Sequence, residues 1–177
     1  ERARRDFLDA LVSMGLLQRT EGRYSNTPET ALFLDRNKPS YLGGILEMAN
    51  ARLYRFWADL TPALKTGKPQ NEIKSTGSSM FGELYSDPAR LEQFMDAMSG
   101  ISLGNFDAFA RKFDFLKYKT MVDIGGATGQ LSSLVAQHNP HMTCTTCDLP
   151  VVKPIAERRI AERGGSARVK AGVVDFF

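Results

Sequence analysis

The spacing of hydrophobic residues along this chain changes near residue 120, and the change separates two kinds of predicted element. Upstream, apolar side chains recur at helical spacing; the first such stripe is Phe7, Leu8, Leu11, Val12 and Leu16. Downstream, short β-compatible runs alternate with helical stretches; these runs are 121–124, 142–147 and 169–174. The pattern predicts an α/β protein in which a mostly helical part precedes the first three strands of a parallel sheet.

Residues 1–40 predict a helix, a two-stranded hairpin and a second helix. Glu21-Gly22 forms the centre of the hairpin, and Thr27-Pro28 is typical of a helix start, with threonine as the N-cap. This order is that of a winged helix. Arginines on the first helix raise the possibility of phosphate contacts to DNA, but nearby acidic residues offset them and no basic stripe follows. We therefore favour a solvated face or a dimer surface, with no nucleic-acid partner.

The middle of the chain is rich in apolar residues and predicts further helices. We expect two helices between residues 41 and 66, a polar loop at 68–79, and a long helix that starts at Asp87-Pro88. Phe94 and Met98 lie on one side of that long helix. Such a stripe forms either core or the wall of a pocket for a flat aromatic molecule, and the sequence leaves both readings open.

The strongest functional signal is the stretch M-V-D-I-G-G-A-T-G at residues 121–129, which predicts a strand, a glycine turn and a helix start. Asp123 would lie at the carboxyl end of the strand. A pyrophosphate held at the helix N-terminus would be repelled by this acid, whereas a ligand with ammonium and sulfonium groups would be attracted. A turn that serves only close packing is the alternative.

Each of the three predicted strands ends in an aspartate; these are Asp123, Asp148 and Asp175. Because carboxyl ends of parallel strands share one edge of a sheet, the three acids should gather around one ligand. Asp148 lies at the spacing typical of an acid that binds a ribose, although it is also a candidate N-cap for the next helix.

Composition narrows the function classes. The chain has 177 residues, a formal charge of +3 and two cysteines, with no apolar run long enough for a membrane span and no signal peptide at its start. We expect a cytoplasmic protein with no membrane partner. The run His138, His141, Cys144, Cys147 offers zinc ligands, but a strand would turn the two cysteines to opposite faces, so no metal is predicted.

Three motifs together resemble the small-molecule O-methyltransferases of the plant and bacterial type: V-D-I-G-G-A-T-G at 122–129, D-L-P at 148–150 and D-F-F at 175–177. F-M-D-A-M at 94–98 resembles the pocket helix of that family, and T-P at 27–28 resembles part of its winged-helix dimerisation domain. The sequence departs from the pattern at Ala127 and Val174, where glycine is more usual. The resemblance implies a homodimer that transfers a methyl group from S-adenosylmethionine to a hydroxyl of a small aromatic acceptor.

The resemblance also implies roles for individual residues. Asp123 and Gly125 would border the methionine part of the cofactor, Asp148 the ribose and Asp175 with Phe176 the adenine; Gly126 and Leu149 complete the cofactor set. Trp57, Phe94 and Met98 would border the acceptor. No catalytic residue is predicted, because the family's histidine base follows the third-strand acid and a further helix.

We expect residues 1–110 to form a winged-helix-like dimerisation and substrate-lining domain and residues 111–177 the first part of a Rossmann-like cofactor domain. The natural polypeptide is expected to extend beyond both ends, and a chain that stopped at Phe177 should bind cofactor weakly and not turn over. The alternatives are a winged-helix module that binds DNA or senses a ligand, and a methyltransferase-like protein without activity.

Overall fold

In the computed structural model, residues 2–77 and 80–175 are described, and the chain separates into two units, Glu1–Gly43 and Gly44–Phe177. The first unit contains helix α1 (Arg2–Ser13), the antiparallel strands β1 (Leu17–Thr20) and β2 (Arg23–Asn26), and helix α2 (Pro28–Phe33). This is the predicted order of elements. Thr27 caps α2 by accepting a hydrogen bond from the Thr30 amide at 3.2 Å.

Local contacts hold the first unit together. Glu21 and Gly22 both have positive φ, +50° and +78°, as a two-residue hairpin turn of matching twist requires. Asp9 of α1 accepts hydrogen bonds from the Tyr24 hydroxyl at 2.7 Å and from Arg19 at 3.2 Å. The bond to Asp9 is also the main reason that the pKa of Tyr24 is raised. The hairpin is thus tied to the helix by polar groups.

The second unit begins with a helical run: α3 (Gly44–Met48), a π-helical turn (Ala49–Leu53), a 3₁₀ segment (Tyr54–Asp59) and α4 (Leu60–Thr66). Two α-helices lie in the interval predicted for them, but further helical segments join them. Residues 45–61 contain neither glycine nor proline, and the chain passes from α3 to α4 through the π-helical turn and the 3₁₀ segment. The run ends at Gly67, which takes a left-handed conformation (φ +66°).

Three further helices lead to the sheet: α5 (Ile73–Thr76), α6 (Met80–Ser86) and the 25-residue α7 (Pro88–Lys112). The short α5 lies within the stretch predicted as a loop. Asp87 caps α7 as predicted, accepting hydrogen bonds from the Ala89 and Arg90 amides. Helix α7 packs against α3, where Gly44 allows close approach to the Ala97 backbone. A 3₁₀ turn (Phe115–Lys117) then joins α7 to the first strand of the sheet.

The sheet consists of β3 (Thr120–Ile124), β4 (Thr143–Asp148) and β5 (Val169–Val173), parallel and in that order. Helices α8 (Gln130–His138) and α9 (Lys153–Glu162) connect the strands. Three parallel strands joined by helices confirm the predicted α/β fold class. Among the described residues, no helix is both long enough and apolar enough to cross a membrane.

The two faces of the sheet differ in burial. Met121, Cys144 and Val169 are aligned across the strands and belong to a core cluster with Val135 of α8 and Ile160 of α9. On the opposite face, Val122 and Ile124 are 60% and 57% exposed. The helices therefore cover one face only. Since side chains alternate along a strand, Asp123 lies on the helix-covered face with Met121.

A second core cluster joins α7 to the start of α9. Leu91 and Met95 of α7 pack with Leu84, Val152 and Ile155, all of them buried. Ala127 of the glycine turn packs against this cluster. The same hydrophobic contacts that hold α7 in place therefore also support the turn.

Candidate functional site

The turn between β3 and α8 adopts a conformation that most residues avoid. Gly125, Ala127 and Gly129 all have positive φ, at +74°, +46° and +67°. The amides of Gly125 and Gly126 both donate to the Cys147 carbonyl, at 2.8 and 3.2 Å. The turn is thereby fixed to the end of the neighbouring strand β4.

Gly126 is the position at which only glycine fits. A Cβ atom there would lie 2.1 Å from Thr146 Oγ1 and 2.8 Å from Asp123 Oδ2, both far inside normal contact distance. The absence of a side chain at Gly126 thus lets the turn lie directly over Thr146 and beside the Asp123 carboxylate.

Ala127, the departure from the family pattern, occupies a left-handed conformation that costs a residue with a Cβ about 1–2 kcal/mol. Its amide donates a 3.0 Å hydrogen bond to Asp148 Oδ2, and its side chain packs against the α7–α9 cluster. These contacts offset the backbone strain.

Asp148 is 8% exposed and serves the turn directly. Its Oδ2 accepts from Ala127, and its Oδ1 accepts from the amide of Leu149 at 2.8 Å. The alternative reading of Asp148 as an N-cap is wrong, because the capping position of α9 is Val152, which makes no side-chain capping bond. Each carboxylate oxygen has a second lone pair, so Asp148 can still accept a hydrogen bond from a ligand.

The Asp123 carboxylate differs from that of Asp148 in making no hydrogen bond or ion pair with any residue that the structure describes. Desolvation by burial raises the pKa of Asp123, and the negative charge of Asp148 raises it further. Two carboxylates close together in a partly buried place repel each other, and a cation bound between or beside them would relieve that repulsion. The electrostatics of the site therefore favour a positively charged ligand.

A cavity of about 210 Å³ opens beside this turn. One wall is formed by residues of α7, which are Met98, Ser99, Ser102 and Phe106. The other wall comes from the strand end, the turn and the start of α8; it comprises Asp123, Gly125, Gly126, Ala127, Thr128, Gln130 and Leu131. The structure thus brings predicted cofactor residues together with Met98, a predicted acceptor residue.

The other predicted residues lie elsewhere. Phe94 packs against the α7–α9 core cluster. Trp57 is 67% exposed and lines a different groove with Phe56 and Leu60. Asp175 is exposed two residues beyond the end of β5, and Phe176 lies outside the described residues.

Sequence reasoning missed three further lining residues of α7, Ser99, Ser102 and Phe106. Ser102 and Phe106 follow Met98 at intervals of four, so helical periodicity extended from Met98 would have found these two. It also missed Arg163 of the α9 C-terminus, which donates a 2.8 Å hydrogen bond to the Thr128 carbonyl. That contact spans 35 residues, and no local pattern signals it.

The histidines and cysteines take separate structural roles. His138 Nε2 is 2.9 Å from Asp107 Oδ1, and His141 Nε2 is 3.1 Å from the Phe115 carbonyl. Cys144 is buried in the core under α8, and burial raises the pKa of its thiol. Neither histidine lines the cavity beside the glycine turn.

Comparison with known proteins agrees with this geometry. The profile of the O-methyltransferase domain family matches residues 57–177. The chain is 38% identical over 177 residues to the tetracenomycin polyketide synthesis 8-O-methyl transferase TcmO of Streptomyces glaucescens, across 99% of this chain and 51% of that protein. It is 36% identical over 173 residues to the N,N-dimethyltransferase OxyT of Streptomyces rimosus, across 98% of this chain and 50% of that protein.

A solved structure supports the same relationship. The O-methyltransferase NcsB1 from neocarzinostatin biosynthesis, in complex with S-adenosylmethionine and 2-hydroxy-5-methyl naphthoic acid, matches 99% of this chain and 54% of its own, with a TM-score of 0.69 and 27% identity. The chain spans about half the length of the curated relatives it matches. From the matched profile, the relatives and the glycine turn together, this chain belongs to the O-methyltransferase family, whose cofactor is S-adenosylmethionine.

Proposed function

We propose that the complete protein transfers a methyl group from S-adenosylmethionine to a hydroxyl of a small aromatic acceptor. The observation that carries this proposal is Asp123, a partly buried carboxylate that no residue in 2–77 or 80–175 binds through its side chain, in a cavity formed jointly by the glycine turn and α7. When bound, the cofactor supplies an electrophilic methyl group on a sulfonium sulfur.

The residues present fit that cofactor. Asp123 offers a negative charge that no described residue pairs with, and the lack of a side chain at Gly126 lets the turn lie against Thr146 and beside the Asp123 carboxylate. We assign Asp123, Gly125 and Gly126 to the methionine part, with the amino group near Asp123. The ribose hydroxyls are assigned to Asp148 and Leu149, and the adenine to Asp175 and Phe176.

We assign the acceptor to the α7 side of the cavity. The flexible side chain of Met98 and the planar ring of Phe106 give that wall an apolar surface that can pack against an aromatic ring. Phe94 and Trp57 are proposed to extend this surface in the complete protein. The aromatic acceptor bound to NcsB1 supports the assignment by analogy.

The reaction would proceed as an in-line displacement in which the acceptor oxygen takes the methyl group and releases its proton. The role of the described residues is to bind, align and exclude water, which is the larger part of catalysis for such a transfer. His138 and His141 are held by other partners, so we expect the general base to come from outside residues 1–177.

An amine acceptor is a second candidate. OxyT, a relative at 36% identity, is an N,N-dimethyltransferase, and this similarity supports nitrogen as an alternative acceptor atom. An oxygen acceptor is preferred because the matched family profile and TcmO both concern O-methyl transfer.

We propose in addition that the protein works in the cytoplasm as a homodimer. Phe7 and Met14 of α1 are 64% and 70% exposed, and a second copy of the chain would cover such side chains. Functionally, we divide the chain at 110/111, in the last turn of α7, into a dimerisation and substrate-lining part and a cofactor part. The boundary between compact units lies earlier, at Gly43/Gly44.

Calorimetry of the complete protein with S-adenosylhomocysteine tests the cofactor assignment. We expect saturable binding that Asp123→Ala weakens by at least about tenfold, as loss of a charge-assisted contact predicts. Leu116→Ala, at an 85% exposed side chain that does not line the cavity, is the matched control. Absence of binding by the unmodified protein would overturn the proposal.

Transfer of labelled methyl from S-adenosylmethionine then tests the acceptor. A hydroxynaphthoic acid and the corresponding aminonaphthoic acid are matched probes that differ only in the nucleophilic atom. We expect label on the hydroxy compound. Label on the amino compound alone would favour the second candidate, and dimerisation is checked separately by light scattering.

A further inference from the structure

The glycine turn is held from two sides through a single buried residue, Thr128. Thr128 is 1% exposed, and its hydroxyl lies 2.8 Å from the hydroxyl of Ser99 on α7. Its carbonyl accepts a 2.8 Å hydrogen bond from Arg163 Nη1, and Arg163 Nη2 lies 3.4 Å from its hydroxyl. Thr128 therefore connects the end of α9 to the cavity-lining face of α7.

A charged network runs parallel to this connection. Arg159 of α9 donates to Asp96 at 2.6 Å and to Glu92 at 3.0 Å, both on α7. Arg158 also donates to Glu92, at 2.6 Å. These ion pairs fix α9 against the part of α7 that immediately precedes Met98 and Ser99.

Arg163 differs from these neighbouring arginines in what it binds. Its close partners are the carbonyl and hydroxyl of Thr128, whereas Arg158 and Arg159 bind carboxylates. Desolvation of the guanidinium, with a smaller contribution from the charge of Arg159, lowers the pKa of Arg163. A carboxylate would bind this buried guanidinium more strongly than a carbonyl does. The contact therefore serves to fix the position of Thr128 more than to neutralise the charge of Arg163.

We infer that Arg163 is a positioning residue for cofactor binding: by holding Thr128, it sets the glycine turn at a fixed separation from α7 before the cofactor arrives. Arg163 does not line the cavity, so its effect passes through Thr128, which does. The turn contains three residues with positive φ, a conformation that depends on compensating contacts from the surrounding structure. Ordering it in advance removes a free-energy cost from the binding step.

This inference rests on the proposed use of S-adenosylmethionine by this site. The test therefore starts with the affinity of the unmodified complete protein for S-adenosylhomocysteine, measured by calorimetry. If the unmodified protein does not bind, the proposed function itself fails. If it binds, the variants below decide whether Arg163 positions the turn.

We expect Arg163→Ala to weaken S-adenosylhomocysteine binding by about tenfold, the size of one lost hydrogen bond to a charged group. Arg158→Ala is the matched control, because it removes ion pairs of the same helix without touching Thr128. Methylguanidinium at constant ionic strength should restore much of the affinity of Arg163→Ala and leave Arg158→Ala unchanged. Unchanged affinity in Arg163→Ala, or equal losses in both variants, would overturn the inference.

A double-mutant cycle distinguishes a positioning role of Arg163 from a purely structural one. Ser99→Ala removes the hydrogen bond between Thr128 and α7. Arg163→Lys keeps the positive charge but loses the paired guanidinium donors. Both are small changes, chosen so that the variants fold. If both act by holding Thr128, their effects on affinity should be clearly non-additive. Additive effects, or a lower melting temperature without any loss of affinity, would contradict the positioning role.

Discussion

Residues 2–43 and residues 84–173 differ in where their apolar side chains lie. In the first region no hydrophobic side chain is buried among the described residues. Its fold is held by the hairpin turn, by the Thr27 cap of α2 and by the hydrogen bonds that Asp9 accepts. In the second region, two clusters bury side chains from four helices and the sheet, and one of them packs against Ala127 of the glycine turn. The glycine turn is therefore supported by a core of its own, while the N-terminal unit leaves apolar side chains such as Phe7 and Met14 exposed.

The largest expected effect comes from the core beneath the turn. Leu91 is 1% exposed and packs with Met95, Val152 and Ile155. We expect Leu91→Ala to lower the free energy of unfolding by about 2–5 kcal/mol, through lost burial and the cavity left behind. Urea denaturation of the complete protein measures this. A change below about 1 kcal/mol would mean that the region is less tightly packed than its burial indicates.

Gly126→Ala should have the next largest effect. The new methyl group would overlap Thr146 Oγ1, so we expect a loss of about 2–3 kcal/mol together with loss of S-adenosylhomocysteine binding. Gly104→Ala is the control, because this glycine lies within α7 with open space around it, and alanine there should stabilise by about 1 kcal/mol. Tight binding by Gly126→Ala would show that the turn can move.

Asp123→Asn tests the electrostatics of the site. Because the folded state raises the pKa of Asp123, its contribution to stability is present below the ordinary aspartate pKa and is lost as the pH rises through the raised value. At neutral pH the charged form therefore opposes folding of the ligand-free protein. We expect Asp123→Asn to raise the melting temperature at neutral pH, not at acidic pH, while weakening cofactor binding. A lower melting temperature at neutral pH would contradict this account.

Ala127→Gly should have a small effect on stability. Glycine would remove a left-handed strain of about 1–2 kcal/mol, but it gives up a packed methyl group and adds about 0.5–1 kcal/mol of unfolded-state entropy. We expect a net change within about 1 kcal/mol and nearly unchanged cofactor affinity. Thermal denaturation and calorimetry on the same preparation measure both quantities.

Phe7→Ser should change the stability of a monomer least. The Phe7 side chain is 64% exposed, and surface substitutions of this kind usually stay within about 0.5 kcal/mol. Its effect should instead appear as dissociation of the proposed dimer, measured by light scattering over a range of concentrations. Glu21→Gln, at the exposed hairpin turn, serves as a control that should leave the oligomeric state unchanged.

The sequence predicts the turn well because its signals are local. The order strand, glycine turn, helix at 120–138 and the acids at 123 and 148 follow from hydrophobic periodicity and glycine placement, and the structure confirms these elements. The contacts of Arg163 and Ser99 with Thr128 join residues 35 and 29 positions apart, so they depend on how helices pack. Likewise, nothing local in the sequence predicts that Ala127 takes a positive φ, because alanine does so only when its surroundings compensate.

The close approach of Gly126 to Thr146 has a consequence for how these two positions change among relatives. They are twenty residues apart, yet they share a single small volume, so neither can grow unless the other shrinks. A relative with alanine at the first position should carry alanine or glycine at the second, because serine would keep the hydroxyl oxygen that the new methyl group overlaps. The pair is thus expected to vary together, and a library that randomises both positions at once should recover folded sequences that no single substitution reaches.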